Sequence, residues 1–176
     1  MIRTVGRHKG KIAGSAAALA VAVSLIGDFE GKRNQAYRDI VGVWTVCYGE
    51  TRGVHAGDVA TDAQCDAMLA KGIAEFEAGL DKCLTADVPV KAKIAFVSWS
   101  YNVGIGAACK STLVRKANAG DLKGACEQLP RWNRAGGRVV KGLTNRRIIE
   151  RDLCLSALDP GRPLDAPKPK FFSRWK

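Results

Sequence analysis

Two carboxylic acids and a threonine are the residues of this chain with the clearest potential for chemistry. Glu30 lies at the end of an apolar run, Asp39 follows it after eight intervening residues, and Thr45 follows Asp39 after five. A helix end, a loop and a strand could bring these three side chains into one cleft. One carboxyl could then act as a general acid and the other as a base or nucleophile, while the hydroxyl places a water. Hydrolysis of a glycosidic bond requires this set of groups.

The segments around these residues carry patterns that predict the elements needed to position them. The apolar run before Glu30 favours a helix that delivers the carboxyl to a surface. The alternation of side chains on either side of Gly42, a turn residue, predicts a small hairpin sheet that continues to about Val54.

Helical spacing dominates the rest of the chain. Thr61 followed by Gln64 is a capping-box signature, and the apolar residues after it keep helical spacing to about Leu80. This helix could connect two lobes. Further helices are predicted at residues 113–119, 122–129 and 145–157, and a largely buried helix fits the spacing of Ile94, Phe96, Val97 and Tyr101.

A series of short sequence blocks between Leu25 and Leu155 resembles the phage T4-type lysozymes. The first block contains Glu30, Asp39 and Thr45, and these positions match the family's catalytic segment without a gap. Each later block is weak alone, but their order is specific. These blocks are residues 98–104, 109–113, 118–121, 131–137 and 142–147, the last followed by Glu150 and Arg151.

The resemblance implies an α+β fold class: a mostly helical lysozyme-like fold with a small β-hairpin lobe, a larger helical lobe and an active-site cleft between them. It also implies that Glu30 protonates the leaving glycosidic oxygen, while Asp39 and Thr45 position and activate a water on the opposite face of the sugar. An apolar helix end beside Phe29 would favour the protonated form of Glu30, and Arg38 with an exposed loop would keep Asp39 ionised.

The implied reaction is hydrolysis, with inversion, of the β-1,4 bond between N-acetylmuramic acid and N-acetylglucosamine in peptidoglycan, with no cofactor and no metal. Arg146 and Arg147 are expected to be structural and to pair with acidic neighbours. Glu50 stands where many relatives have a histidine, so no role is carried over to it. Weaker candidates for contact with the sugar are Tyr48, Asn102, Arg131 and Asn133.

Two other functions are compatible with the residues. A lytic transglycosylase needs only one acid/base glutamate and releases an anhydro sugar, and an obligate Asp39 would argue against it. A non-catalytic cationic protein could bind walls or permeabilise membranes through its basic tail and apolar N-terminus. Lysis that depends on Glu30 would argue against this second alternative.

The composition favours a polyanionic partner. The 176-residue chain carries 28 Lys and Arg against 17 Asp and Glu, a formal net charge of +11. No zinc-finger spacing or RNP-like aromatic motif is present, so nucleic acid is not an expected partner, and the anionic cell wall is the simplest one. We expect a monomer with one catalytic domain.

The six cysteines favour disulfides. They form no CxxC pair, and only two histidines are present, so a structural zinc site is not expected. An even number of cysteines in an exported chain is typical of disulfide bonding. The sequence alone does not choose among the many pairings. Pairing of sequence neighbours is our preferred guess, namely Cys47 with Cys65, Cys83 with Cys109, and Cys126 with Cys154.

The N-terminal segment combines a basic flank with an uncharged apolar run from Ile12 to Ile26. The run is short for a permanent transmembrane helix, and no small-residue cleavage site follows it as a cleaved signal peptide would require. It is similar to the signal-arrest-release segment of a subset of phage endolysins. Such a segment is exported uncleaved, tethers the enzyme to the inner membrane, and later leaves the bilayer to give a soluble periplasmic enzyme.

These features predict three regions. Residues 1–27 are the basic flank and signal-anchor, residues 28–159 the lysozyme catalytic domain, and residues 160–176 a Pro-rich basic tail. The tail could pack loosely on the domain as a solvated segment, or it could contact a membrane or the wall.

Overall fold

The computed structural model describes residues 11–159 and 161–164. Within these residues both sheets are two-stranded and antiparallel, and most of the chain is helical. This arrangement confirms the predicted α+β class. The α-helices are α1 (Ala16–Glu30), α2 (Asp62–Asp81), α3 (Val90–Val103), α4 (Ile105–Cys109), α5 (Thr112–Asn118), α6 (Leu122–Cys126) and α7 (Lys141–Ser156), with a 3-10 helix at Leu129–Arg131. The strands are β1 (Arg33–Arg38), β2 (Trp44–Cys47), β3 (Arg134–Ala135) and β4 (Arg138–Val139).

Helix α1 forms from the apolar N-terminal run and packs into the core. The Ser15 hydroxyl accepts a hydrogen bond from the N–H of Ala18 at 3.3 Å, which caps the first turn. The helix crosses the predicted border between the signal-anchor and the catalytic domain. Among the residues that the structure describes, no helix is both long enough and apolar enough to cross a membrane. The buried residues of α1 are Ala18, Ala22, Leu25, Ile26 and Gly27.

Helix α2 connects the β1–β2 hairpin to the helical lobe. Thr61 and Gln64 form the predicted capping box, in which each side chain accepts a hydrogen bond from the backbone N–H of the other residue. At about 1.5 Å per residue, a helix of this length spans about 30 Å. The helix ends at Asp81, one residue beyond the predicted end.

Helix α3 lies at the centre of the helical lobe and contacts α1, α2 and α7. Every residue at positions 91–100 is buried. Trp99 is fully buried and meets Trp132 edge to face, with ring centroids 5.1 Å apart. Because α1 and α7 both pack on α3, side chains from these two helices can meet beside it.

Two helix boundaries predicted in the second half of the chain are wrong. The helix predicted at residues 122–129 ends at Cys126, and a 3-10 turn follows that contains Pro130. Proline lacks an N–H and so cannot continue the α-helical hydrogen bonds. The helix predicted at residues 145–157 already begins at Lys141.

The small β3–β4 hairpin before α7 was not predicted. Gly136 and Gly137 form its two-residue loop, with φ values of 55° and 77°. Positive φ at both loop residues is the type I′ geometry that closes a tight hairpin, and glycine adopts it without strain. The hairpin leads the chain directly into α7.

Three disulfides brace these elements, and all described cysteines are paired. The Cys47–Cys65 bond joins β2 to α2, and the other two join the end of α2 to α4 and α6 to α7. The latter are Cys83–Cys109 and Cys126–Cys154. These are the neighbour pairs that we guessed from the sequence.

Candidate active site

The candidate acid Glu30 is the last residue of α1. Gly31 ends the helix with a φ of 72°, a left-handed conformation suited to glycine, and its N–H donates to the Gly27 carbonyl. The Glu30 side chain is 25 % exposed, and its Oε1 accepts a hydrogen bond from Nη1 of Arg146 at 2.8 Å. Within the described residues Oε2 has no hydrogen-bond partner, so this oxygen is available to a substrate.

Arg146 joins Glu30 to a buried polar centre between α3 and α7. It donates to Glu150 at 3.1 Å and to the Ser98 carbonyl at 2.9 Å. Its guanidinium also lies over the Phe29 ring, 4.7 Å from the centroid. The setting of Glu30 is therefore not purely apolar as predicted, because a guanidinium contacts its carboxyl group.

Asp39 lies at the tip of the β1–β2 hairpin. Its Oδ1 accepts hydrogen bonds from the backbone N–H groups of Val41 at 2.9 Å and Val43 at 2.8 Å. The carboxylate thus folds over its own turn, as Asp commonly does. Arg38 forms no ion pair with it within the described chain and lies instead over the Trp44 ring, 5.2 Å from the centroid. Turn amides, not Arg38, therefore contact the Asp39 carboxyl group.

Thr45 lies on β2, on the same face of the hairpin as Asp39. Tyr37 pairs with Thr45, and the Asp39 N–H donates to the Val43 carbonyl at 2.9 Å. Asp39 and Thr45 are therefore diagonal neighbours, a relation that places residues roughly 7–8 Å apart. The buried Thr45 hydroxyl donates to the Val43 carbonyl at 3.1 Å. In this arrangement it can still accept a hydrogen bond from a water.

Tyr48 packs against α1 and forms a hydrogen bond to α2, so it links the β1–β2 hairpin to both helices. A Cβ at Gly27 would lie 3.0 Å from the Tyr48 ring, a tight contact, so glycine favours this close approach. The Tyr48 hydroxyl donates to Asp66 at 2.8 Å. Burial and this hydrogen bond raise the pKa of Tyr48 to about 12. The structure thus places Tyr48 in a packing contact one helical turn before Glu30, and sugar binding by Tyr48 stays a prediction.

The other three candidates for sugar contact lie around the first turns of α7. Asn102 is exposed near the end of α3, and its amide oxygen accepts from Arg147 at 3.1 Å. Asn133 donates to the Thr144 hydroxyl at 3.3 Å. Arg131 ends the 3-10 helix, is exposed, and has no ion-pair partner in the described part of the chain. Substrate contact by these three side chains stays a prediction.

Glu50 belongs to an ion network between the hairpin lobe and α2. Arg52 pairs with Glu50 at 2.9 Å and reaches Glu75 on α2 at 3.2 Å. The hydrogen bond from Arg52 lowers the pKa of Glu50 to about 2. Glu50 thus takes part in an ion network that joins the hairpin to α2. Arg52 was missed from the sequence, although its place two residues after Glu50 is the signal that could have revealed it.

The helical spacing of Tyr101 predicts a largely buried residue, but it is only half-buried and lies beside the charged groups of the site. Its ring centroid lies 4.7 Å from that of Phe76. Burial, and then the charges of Glu30 and Glu50, raise the pKa of Tyr101. A cavity of about 150 Å³ lies between Tyr101, Glu50 and α2. The position of Tyr101 inside the block at residues 98–104 was the available signal.

Comparison with known proteins places this site in a family. A family model described as "Phage lysozyme" matches residues 27–150. The chain belongs to the phage lysozyme family. The match begins three residues before Glu30 and includes Asp39, Thr45 and Arg146. One similar relative is the SAR-endolysin of Enterobacteria phage P21, 45 % identical over 145 residues that cover 78 % of this chain and 88 % of the relative.

Two solved structures of the P1 phage endolysin Lyz resemble the chain to different degrees. Its active form is 30 % identical with a TM-score of 0.72, and the match covers 87 % of this chain and 90 % of that one. Its secreted inactive form is 25 % identical with a TM-score of 0.53, covering 84 % and 99 %. The arrangement described here is therefore closer to the active form of that relative. Membership of this family makes the chain a lysozyme-type endolysin.

Proposed function

We propose that this endolysin hydrolyses the β-1,4 bond between N-acetylmuramic acid and N-acetylglucosamine with Glu30 as general acid and Asp39 as base. The placement of Glu30 carries this proposal. Arg146 holds one carboxyl oxygen at the end of α1, and the other oxygen is open. Asp39 and Thr45 share one face of a separate hairpin. Acid and water-activating groups thus come from different elements, as a reaction on two faces of a sugar requires.

The acid step uses the open oxygen of Glu30. Protonated Oε2 gives its proton to the glycosidic oxygen as the bond to the anomeric carbon breaks. Arg146, which contacts Oε1, then stabilises the carboxylate that forms. The contact needed after proton transfer is therefore already formed in the free protein.

The base step uses the free oxygen of Asp39. Oδ1 is held by two turn amides, and Oδ2 has no partner within the described residues. Oδ2 takes a proton from a water that donates a second hydrogen bond to the Thr45 hydroxyl. Attack by this water inverts the anomeric carbon, which requires carboxyl groups roughly 6.5–9.5 Å apart.

Control of this site follows from the location of α1. The protein is exported to the periplasm, first tethered to the inner membrane and then released as the active enzyme. The tether is the run from Ile12 to Ile26, which ends four residues before Glu30. While that run lies in the bilayer, α1 cannot pack on α3 and Glu30 cannot reach Arg146.

Product analysis by mass spectrometry tests the reaction class. Purified cell walls should yield fragments that end in reducing N-acetylmuramic acid, and NMR at early times should show inverted anomers. Anhydro products would identify a lytic transglycosylase instead. Lysis without glycan cleavage would identify a non-catalytic cationic protein.

Replacement of the base sharpens this test. Asp39→Asn should lower the rate of wall hydrolysis by about 10²–10⁴ because the amide cannot accept the water's proton. Asp152→Asn is a matched control, since Asp152 is half-exposed and, among the described residues, forms an ion pair only with the neighbouring Arg151. An Asp39→Asn enzyme as active as this control would overturn the assignment of the base.

A further inference from the structure

A buried carboxylate on α2 accepts hydrogen bonds from the start of the N-terminal apolar segment. Glu77 is only 5 % exposed, and within the described residues no lysine or arginine forms an ion pair with it. Its two oxygens instead accept hydrogen bonds from the backbone N–H groups of Ile12 at 2.7 Å and Ala13 at 3.1 Å. Both donors lie far away in the sequence, at the beginning of the apolar run.

These donors are important because a carboxylate is costly to bury without hydrogen-bond partners. Bonds that involve a charged group are also stronger than those between neutral groups. Since the donors are backbone groups, the contact depends on where the chain lies and not on the side chains of these two residues. The Ile12 side chain is fully buried in the same hydrophobic core as α1, so an apolar contact reinforces the polar one.

The contact lies at the opposite end of α1 from Glu30. The Ser15 N–H donates to the Ile12 carbonyl at 3.1 Å, which closes a turn, and Ser15 then caps α1. A helix of this length spans about 22 Å. Because a helix moves along its axis as one body, anchoring its first residues determines where its last residue projects.

We propose that Glu77 is a positioning residue that captures the backbone of Ile12 and Ala13 after the segment leaves the bilayer, and so determines the register in which α1 presents Glu30. This inference rests on the proposed function. While the segment is in the membrane, the covered face of α2 is open and water solvates Glu77. Only the docked form supplies the two backbone donors, so Glu77 shifts the equilibrium toward that form.

Two substitutions disrupt this contact, one by changing the acceptor and the other by removing a donor. Glu77→Gln keeps the shape but replaces one acceptor oxygen with an NH₂ group that faces a backbone N–H. Ala13→Pro removes the N–H that the second oxygen accepts. Ala13 is exposed and is the second residue of the turn closed by Ser15, a position that proline favours. Glu127→Gln, at an exposed carboxyl with no ion pair in the described chain, is the matched control.

Hydrogen exchange on the full-length released protein measures the docking. Each single variant should speed exchange of the α1 amides about ten-fold or more and leave α3 unchanged, since a hydrogen bond to a charged group contributes that much. Adding Ala13→Pro to Glu77→Gln should have little further effect, because both remove one contact. On purified walls, both variants should lower kcat at unchanged KM, since fewer molecules hold Glu30 in place.

Three results would overturn the proposal: unchanged α1 exchange in both single variants, equal acceleration in α1 and α3, or fully additive effects in the double variant. Equal acceleration would show that Glu77 supports the whole fold and not the docking of α1. Hydrogen exchange is measured without substrate. These outcomes therefore do not depend on whether the roles assigned to Glu30 and Asp39 are correct.

Discussion

Arg146 links the proposed acid to the core, because one guanidinium contacts Glu30 and the fully buried Glu150. Arg146→Gln should therefore lower the free energy of unfolding by about 3–5 kcal/mol, since it leaves a buried carboxylate short of a partner. Chemical denaturation measures this loss. Among the described residues, Arg151→Gln breaks only a solvent-accessible pair with Asp152, so it should change stability by less than about 1 kcal/mol. Equal stability of the two variants would contradict the account of this centre.

The Glu50–Arg52 pair predicts a pH dependence. The pKa of Glu50 falls from 4.5 to about 2 in the folded protein, mainly because Arg52 donates to it. A lowered folded-state pKa adds stability that is present above the unfolded value and is lost as the pH falls through the folded value. The stability difference between wild type and Glu50→Gln should thus be largest above about pH 5 and shrink toward pH 2. A difference that does not vary with pH would argue against this pair.

The sequence indicated the candidate acid, base and hydroxyl because their types and spacing lie in one short segment. It could not show which group holds the acid, since Arg146 is 116 positions away from Glu30. It also suggested Arg38 as the neighbour of Asp39, whereas the turn amides of Val41 and Val43 take that place. Such local competition between side chains and backbone has no sequence signature.

Among the elements, the β1–β2 hairpin depends on one covalent link to α2, the Cys47–Cys65 disulfide. Replacing both cysteines with alanine should lower the free energy of unfolding by about 2–4 kcal/mol. It should also speed hydrogen exchange in the hairpin. Replacing Cys126 and Cys154 should cost a similar amount but loosen α6 and α7 instead. Thermal denaturation and exchange measure both effects, and identical exchange maps for the two variants would be inconsistent with these local roles.

The strongly patterned elements were predictable and the others were not. Helix α2 carries both a capping box and helical spacing, so its start at Asp62 and its end near Leu80 follow from the sequence. Helix α7 begins earlier than its apolar spacing indicates because its first turn, from Lys141, is exposed or half-buried. The β3–β4 hairpin is too short for a period-two pattern, and only its Gly136–Gly137 pair signals a turn.

For the whole molecule, the proposed control makes activity depend on whether the membrane or the protein core holds α1. Ala20 and Ser24 are exposed on α1, so leucine at both positions leaves the docked core intact but favours the bilayer by a few tenths of a kcal/mol or more per residue. This variant should stay longer in the membrane fraction and delay lysis. Ala63→Leu with Ala67→Leu, an exposed pair of the same spacing on α2, is the control. Equal partitioning of the two variants would exclude control by the apolar run.

Export could be predicted at this scale because charge, apolar length and cysteine number are properties of the whole chain, whereas release was implied by the resemblance to signal-arrest-release segments. How the released segment docks could not, because it depends on contacts between distant positions such as Ile12 and Glu77. The predicted Pro-rich tail lies almost entirely outside the described residues, which end at residue 164.

The most direct test of the central claim is the rate of wall hydrolysis by Glu30→Gln. The amide keeps the shape of the side chain but has no acidic proton, so the rate should fall by about 10²–10⁴ while the fold is retained. Asp28→Asn, an exposed carboxyl two residues earlier on the same helix, should remain as active as wild type. Hydrolysis by Glu30→Gln at a rate close to that of Asp28→Asn would contradict the assignment of Glu30 as the acid.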